Sequence, residues 1–139
     1  MKQMLSNPKA GWCELEIGNF KGTPSYLTDV PVDLLAAFID YYKKGIGVAF
    51  FDEEGSEFNL LLSNYSAYII YVDHENKTTL YEFPDVDIDN LAKELISDIK
   101  SNVDSWANFY ASSSSCMFWN NKLKLVSLVS DLEELVNNR

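Results

Sequence analysis

The chain is poor in the residues from which catalytic and metal sites are most often built. Its 139 residues include one histidine and two cysteines, Cys13 and Cys116, which lie far apart and form no CxxC pair. A four-ligand zinc site needs a closer set of nitrogen and sulfur ligands. No GxSxG, SxxK, GxxxxGK[ST] or GxGxxG sequence is present, so no serine-nucleophile, P-loop or dinucleotide site is predicted. We therefore expect no catalytic residue of these kinds, no metal and no cofactor.

Long apolar runs are also absent. None approaches the roughly 18 residues that a membrane-spanning helix needs. The first residues, MKQMLSNPKAGW, lack the apolar core of a secretory signal. We therefore expect a cytoplasmic protein without a membrane-embedded part, whose cysteines are reduced and packed thiols.

Basic residues are scarce relative to acids. The sequence holds 11 Lys and Arg against 21 Asp and Glu, for a formal net charge of −10, and the acids are spread over both halves of the chain. Such a surface repels nucleic acids and anionic lipids, whose binding requires basic side chains. It attracts basic proteins and speeds their encounter. The alternative is that the charge serves solubility alone.

The chain is nevertheless rich enough in apolar residues to fold. Hydrophobic residues make up 47% of the sequence and aromatic residues 14%. A chain of this size buries enough surface for one core. We expect a single domain over residues 1–139, with residues 1–10 as a loosely held lead-in.

Several segments have the alternating or apolar character of β-strands. From Trp12 onward the pattern predicts that Cys13, Leu15 and Ile17 face a core. Short polar connections join the later segments, which favours antiparallel pairing. The predicted strands are a hairpin over 12–28 with its turn at 20–22, followed by 46–51, 57–62, 67–72 and 78–83.

Helical periodicity predicts the remaining elements. A helix over 31–44 has proline at its first position and Gly45 after its last. A long apolar stripe predicts a second helix over 88–110. The end of the chain is ambiguous: a helix over 122–137 is favoured, but 116–126 could form a hairpin. The predicted fold class is α+β, an antiparallel sheet of five or six strands with two or three helices packed on one face.

Candidate catalytic groups are few. His74 lies between Asp73 and Glu75 in a predicted turn, where sequence neighbours do not supply the orientation that a general base requires. Asp85, Asp87 and Asp89 suggest a calcium loop, but an EF-hand requires Gly and Glu where this chain has Asn90 and Ile96. A small enzyme that uses His74 and an unmarked pair of carboxylates remains an alternative.

Two acidic clusters are the candidate interface. Each could instead be a solvated turn or a charged helix start. An acidic surface that includes an exposed tyrosine would suit a basic protein partner. Open sheet edges are also compatible with a homodimer. The candidate residues are Asp52, Glu53, Glu54 and Glu57 in the first cluster, Glu82, Asp85, Asp87 and Asp89 in the second, and Tyr65.

Three segments carry a resemblance to a known class of protein. They are GWCELEI at 11–17, SYLTDVPVDLL at 25–35 and FDEEG at 51–55. Within residues 11–83, this pattern resembles small immunity proteins of bacterial polymorphic toxin systems, including contact-dependent growth inhibition. The resemblance implies a cytoplasmic protein that binds a cognate toxin domain and occludes its active site. Such toxins are often nucleases with basic clefts, which an acidic surface complements. The alternative classes are the small enzyme and a ligand-binding or scaffold domain.

Overall fold

The computed structural model describes residues 3–109 and 115–138. Within them the chain forms seven strands and four helices. The strands form two antiparallel sheets of three and four strands, so the α+β class is confirmed, whereas the predicted single sheet of five or six strands is wrong. In chain order the elements are β1 (Leu5–Lys9), β2 (Trp12–Ile17), β3 (Phe20–Gly22), α1 (Val30–Lys44), β4 (Ile46–Asp52), β5 (Glu57–Ser63), β6 (Ser66–Val72), β7 (Thr78–Phe83), α2 (Ile88–Lys100), α3 (Val103–Ala107) and α4 (Ser115–Asn137).

The larger sheet is a meander in the order β4-β5-β6-β7. All four of its strands agree with the predicted segments to within a residue at either end. Each pair is joined by a short turn, and short turns of this kind connect antiparallel neighbours. Along β4 and β5, every second side chain is buried, so this sheet has one inner and one outer face.

Helix α1 packs on the inner face over β4, and the contact is close. A Cβ atom at Gly47 would lie 1.9 Å from the backbone oxygen of Ala37, so glycine is the only residue that lets the helix approach here. The helix was predicted almost to the residue. It ends where Gly45 takes the left-handed conformation and donates its N–H to the oxygen of Tyr41.

The hairpin of β2 and β3 covers the rest of the inner face. The Phe20 ring lies 5.0 Å from Phe58 and 5.1 Å from Tyr81, measured between ring centroids. Phe20 thus begins a strand, and the predicted turn at 20–22 is wrong. The chain turns two residues earlier, at Gly18 and Asn19. The short sheet lies on the same side of the larger sheet as α1.

A layer of three helices packs on the far side of α1. Helix α4 contacts α1, α2 and α3, and it buries Leu125, Val129 and Leu132. The predicted C-terminal helix is confirmed and begins earlier, at Ser115, so the hairpin alternative is wrong over its described residues. Of the four helices, α1 makes the main contact with the larger sheet, whereas the other three pack on one another and on α1. The predicted packing of two or three helices on one face of the sheet is therefore wrong.

The predicted helix over 88–110 is interrupted. Helix α2 ends at Lys100, and Asn102 leaves helical geometry with φ of −148° before α3 begins. The apolar stripe continues across the break because Trp106 and Phe109 are also buried. Periodicity alone therefore does not reveal the bend. The last residue of the predicted helix, Tyr110, lies outside the described residues.

Residues 4–9, within the lead-in expected over 1–10, are attached to the core. Leu5–Lys9 forms β1, which pairs with β2. The buried carboxylate of Asp98 accepts hydrogen bonds from the backbone N–H groups of Met4 at 2.8 Å and Leu5 at 2.9 Å. Burial raises the pKa of the Asp98 carboxyl, and these two hydrogen bonds oppose that shift.

Cys13 is a packed thiol, as expected. Burial, aided by the charge of Glu14, raises its pKa to about 12. Because the thiolate is the reactive form, we expect Cys13 to resist a thiol reagent at pH 8. In a Cys116→Ser background, labelling of the native chain should be about a thousandfold slower than labelling of the urea-unfolded chain. Rates within tenfold of each other would contradict the buried position.

Candidate protein-binding surface

The outer face of the larger sheet is unusually apolar for an exposed surface. The strand register places alternate residues of four strands side by side on this face, which we call the open face. Its three full cross-strand rows are Val48, Leu61, Tyr68 and Glu82; then Phe50, Asn59, Ile70 and Leu80; and last Asp52, Glu57, Val72 and Thr78.

The centre of the open face is apolar and accessible. Val48 is 56% exposed, Leu80 is 54% exposed, and Phe50 and Ile70 are exposed as well. Isolated exposed apolar residues are ordinary, whereas these four lie on β4, β6 and β7 of one face, with the partly buried Leu61 of β5 in the adjoining row. A group of this kind is a candidate interaction surface. All of these side chains project from rigid strands, so the surface is formed before any partner arrives.

Acidic residues lie at both ends of this apolar centre. Asp52 and Glu57 are directly opposite each other across β4 and β5, at one end. Glu82 lies at the other end of the sheet, opposite Tyr68 on β6. The structure therefore places three residues of the predicted acidic interface on one face of the sheet, with an apolar patch between Glu82 and the Asp52–Glu57 pair. The patch was not predicted.

Two members of the first predicted cluster have a different position. Glu53 accepts hydrogen bonds from the backbone N–H of Thr23 at 2.7 Å and from the Ser56 hydroxyl at 2.7 Å, so it ties the β4–β5 turn to the segment after β3. Glu54 is exposed at the tip of that turn, with a positive φ of 58°. The hydrogen bonds of Glu53 therefore stabilise the turn, whereas Glu54 lies beyond the edge of the open face.

The second predicted cluster divides in the same way. Asp87 caps α2 by accepting from the N–H of Asp89 at 2.9 Å, so it lies at the charged helix start that was the alternative for this cluster. Asp89 accepts a hydrogen bond from the Tyr42 hydroxyl. Asp85 is exposed in the β7–α2 connection. These three acids follow Glu82 in the chain without belonging to the strand rows.

Tyr65 occupies the tip of the β5–β6 turn and is 74% exposed. Its neighbour is Asn64, and both have positive φ angles, 51° for Asn64 and 63° for Tyr65. The turn lies at the Glu82 end of the sheet, because the adjoining pair Ser63 and Ser66 closes the meander there.

His74 lies on the exposed β6–β7 turn, and its side chain is 77% exposed beside Glu75. The enzyme alternative requires this histidine in a concave pocket with an orienting carboxylate. The Glu75 carboxylate lies 3.6 Å from His74 Nε2, but both side chains are exposed on the turn. Among residues 3–109 and 115–138, no group of three or more His, Cys, Asp or Glu side chains could hold a metal ion. In the same residues no helix has the length and apolar character to cross a bilayer.

A second exposed apolar stripe lies on α4, formed by Trp119, Leu123 and Val126 at helical spacing. The ammonium of Lys122 lies 5.2 Å from the centroid of the Trp119 ring. Lys124 adds another positive charge. Lys122 also pairs with Asp104 at 2.9 Å. The stripe lies on another element than the predicted acidic interface and contains none of its residues.

Comparison with known proteins gives no relative: no protein-family model, curated protein or solved structure matches the chain. The candidate surface consequently stands on its own geometry.

Proposed function

We propose that this chain is an immunity protein that acts in the cytoplasm and neutralises a toxin domain by covering the toxin's active site with the open face. One observation carries the proposal: an exposed apolar centre on a rigid sheet, with acidic residues at both ends. Protein interfaces commonly combine an apolar core with a polar rim. The sequence resemblance to immunity proteins supports the same reading.

Charge selects the kind of partner. The chain carries a net charge of −10, and Asp52, Glu57 and Glu82 bring part of it to the open face. A second copy docked on this face would bring acids toward acids, which is unfavourable. A basic partner would instead be attracted before contact, and its basic side chains would form ion pairs with these acids after contact. The proposed occupant is therefore a basic protein domain.

A nuclease is the toxin type that fits this surface best. An enzyme that binds a phosphate backbone presents Lys and Arg around its active site. The acidic ends of the open face would pair with those side chains, and the apolar centre would exclude water between them. Binding of this kind blocks substrate entry without any chemistry by the inhibitor.

The direct test is rescue of growth. Proteins captured from the native host by the tagged chain, and the product of the gene immediately upstream, supply the candidate domains. Each C-terminal domain is expressed alone in a heterologous bacterium and then together with this chain. We expect one domain to arrest growth and to degrade nucleic acid in vitro, and we expect co-expression to restore growth. The proposal is overturned if this chain relieves the toxicity of none of them.

The charges of the open face should govern the speed of association. Reversing Asp52 and Glu57 to lysine should slow association with the toxin domain by about tenfold at low salt and weaken its salt dependence. The matched control reverses Asp131 and Glu134 on α4, which changes the net charge equally at another exposed place. Stopped-flow kinetics from 20 to 500 mM salt measure both. Equal effects of the two pairs would remove the acidic end of the open face from the mechanism.

A further inference from the structure

A groove at the Glu82 end of the larger sheet, on the side of α1, has the chemistry of a site for one basic side chain. Two adjoining cavities of about 180 Å³ and 270 Å³ share Tyr41 and Tyr65 as walls. The first is closed by Asp87, Ile88 and Asp89, and the second reaches Gly45. The smaller cavity is below the size typical of small-molecule sites, at roughly 300 Å³ and above, so a single long side chain suits it better.

The electrostatics of the groove favour a cation. Helix α1 ends at this place, and the carbonyl end of a helix carries partial negative charge. The opposite wall is the first turn of α2, where Asp87 accepts from the N–H of Asp89 and Asp89 accepts from the Tyr42 hydroxyl. The two carboxylates outweigh the partial positive charge of this helix N-terminus, which is about half an elementary charge. The nearest lysines do not occupy the groove: Lys44 pairs with Asp40 at 3.6 Å, and Lys43 is exposed on the last turn of α1.

The aromatic walls favour arginine over lysine. A planar guanidinium can stack on a tyrosine ring while its N–H groups reach carboxylates, whereas an ammonium offers only a compact charge. Tyr65 presents a large exposed ring beside the groove. The same turn closes the Glu82 end of the open face, so one partner could contact both surfaces.

We propose that the Tyr41–Tyr65 groove receives an arginine side chain of the toxin domain. This inference rests on the proposed function and deepens it, because it names a specific anchor of the partner. The arginine would insert between the two tyrosines with its guanidinium toward Asp89. The remainder of the partner would cover the apolar centre of the open face.

The test uses N-acetyl-arginine amide as the probe, so that it does not depend on the identity of the toxin. Nitrogen-15 NMR titrations at low salt should show shifts confined to the amides around Gly45, Asn64 and Asp89, with affinity in the millimolar range. The citrulline amide, which has the same shape without the charge, and the lysine amide should give much smaller shifts. Equal shifts from either of these amides would overturn the inference.

Variants at Tyr65 separate binding from folding. Tyr65→Gly removes the ring but suits the positive φ of the turn, so this variant should fold at least as well as the natural chain. It should weaken binding of the arginine amide at least fivefold, and Tyr65→Phe should retain binding. Tyr26→Ala, which removes another exposed tyrosine, is the matched control and should leave binding of the arginine amide unchanged. Unchanged binding by Tyr65→Gly would overturn the groove as the site.

The two proposals fail in different ways. If the arginine amide does not bind while the chain still rescues growth, the groove is wrong and the proposed function stands. If the arginine amide binds and no toxin is neutralised, the groove is a basic side-chain site on a protein with another role.

Discussion

Replacing Gly47 by alanine is expected to destabilise the chain by about 3 kcal/mol, because overpacking against backbone leaves no flexible side chain to move aside. The added Cβ would lie 1.9 Å from the oxygen of Ala37 and 2.7 Å from its carbonyl carbon. Relief requires α1 to lift from β4, and that movement would open the apolar contact between the helix and the sheet. Urea unfolding followed by far-UV circular dichroism measures the loss.

Gly45→Ala is the matched control. It lies two residues away, adds the same methyl group and meets nothing within 4 Å, but its φ of 87° is unfavourable for alanine. Its expected cost is about 1 kcal/mol, since only the left-handed conformation is penalised. A smaller loss at Gly47 than at Gly45 would show that α1 does not approach β4 as closely as described.

The second large effect concerns the open face. We expect the double variant Val48→Thr and Leu80→Thr to bind the toxin domain about 100-fold more weakly, because each substitution removes roughly 1.5 kcal/mol of apolar burial at the interface. Both side chains are more than half exposed in the unbound chain, at 56% and 54%. Threonine retains a preference for strands, so the stability should change by less than about 1 kcal/mol. Calorimetry and growth rescue measure binding, and urea unfolding measures stability.

The chain supplies a closely matched control for this variant. Leu123→Thr and Val126→Thr make the same pair of chemical changes at exposed positions, 66% and 51% exposed, on α4. They should leave toxin affinity unchanged within about twofold. If the α4 pair abolishes binding and the sheet pair does not, the binding surface is the α4 stripe and the open face is not involved.

The apolar residues of the open face were not expected, because the sequence pattern does not show which apolar residues of a strand are exposed. The segment 67–72 is continuously apolar, a pattern typical of a strand buried on both faces. In β6, Ala67 and Ile69 are buried on the inner face, but Ile70 lies exposed on the outer one. Hydrophobicity alone does not distinguish an apolar residue that faces the core from one that is exposed on the surface. The apolar centre of the open face was therefore not predicted.

The local elements followed more closely from the sequence. Pro31 and Gly45 mark the two ends of α1, because each fits a backbone position that other residues fill less well. The division into two sheets could not be found in this way, because it depends on contacts such as Phe20 with Phe58 between distant parts of the chain. Of the predicted interface residues, the strand register places Asp52, Glu57 and Glu82 on one face of the sheet. Glu53 instead fixes the β4–β5 turn, and Asp87 caps α2.

The attachment of the first strand to Asp98 has a consequence for the order of folding. Asp98 is separated from Met4 by 94 positions and from Leu5 by 93. During synthesis, Met4 and Leu5 leave the ribosome long before their anchor Asp98 on α2 does. Contacts of such high sequence separation form late and slow the folding reaction. The meander and α1 can assemble first, and β1 is fully attached only when α2 has emerged.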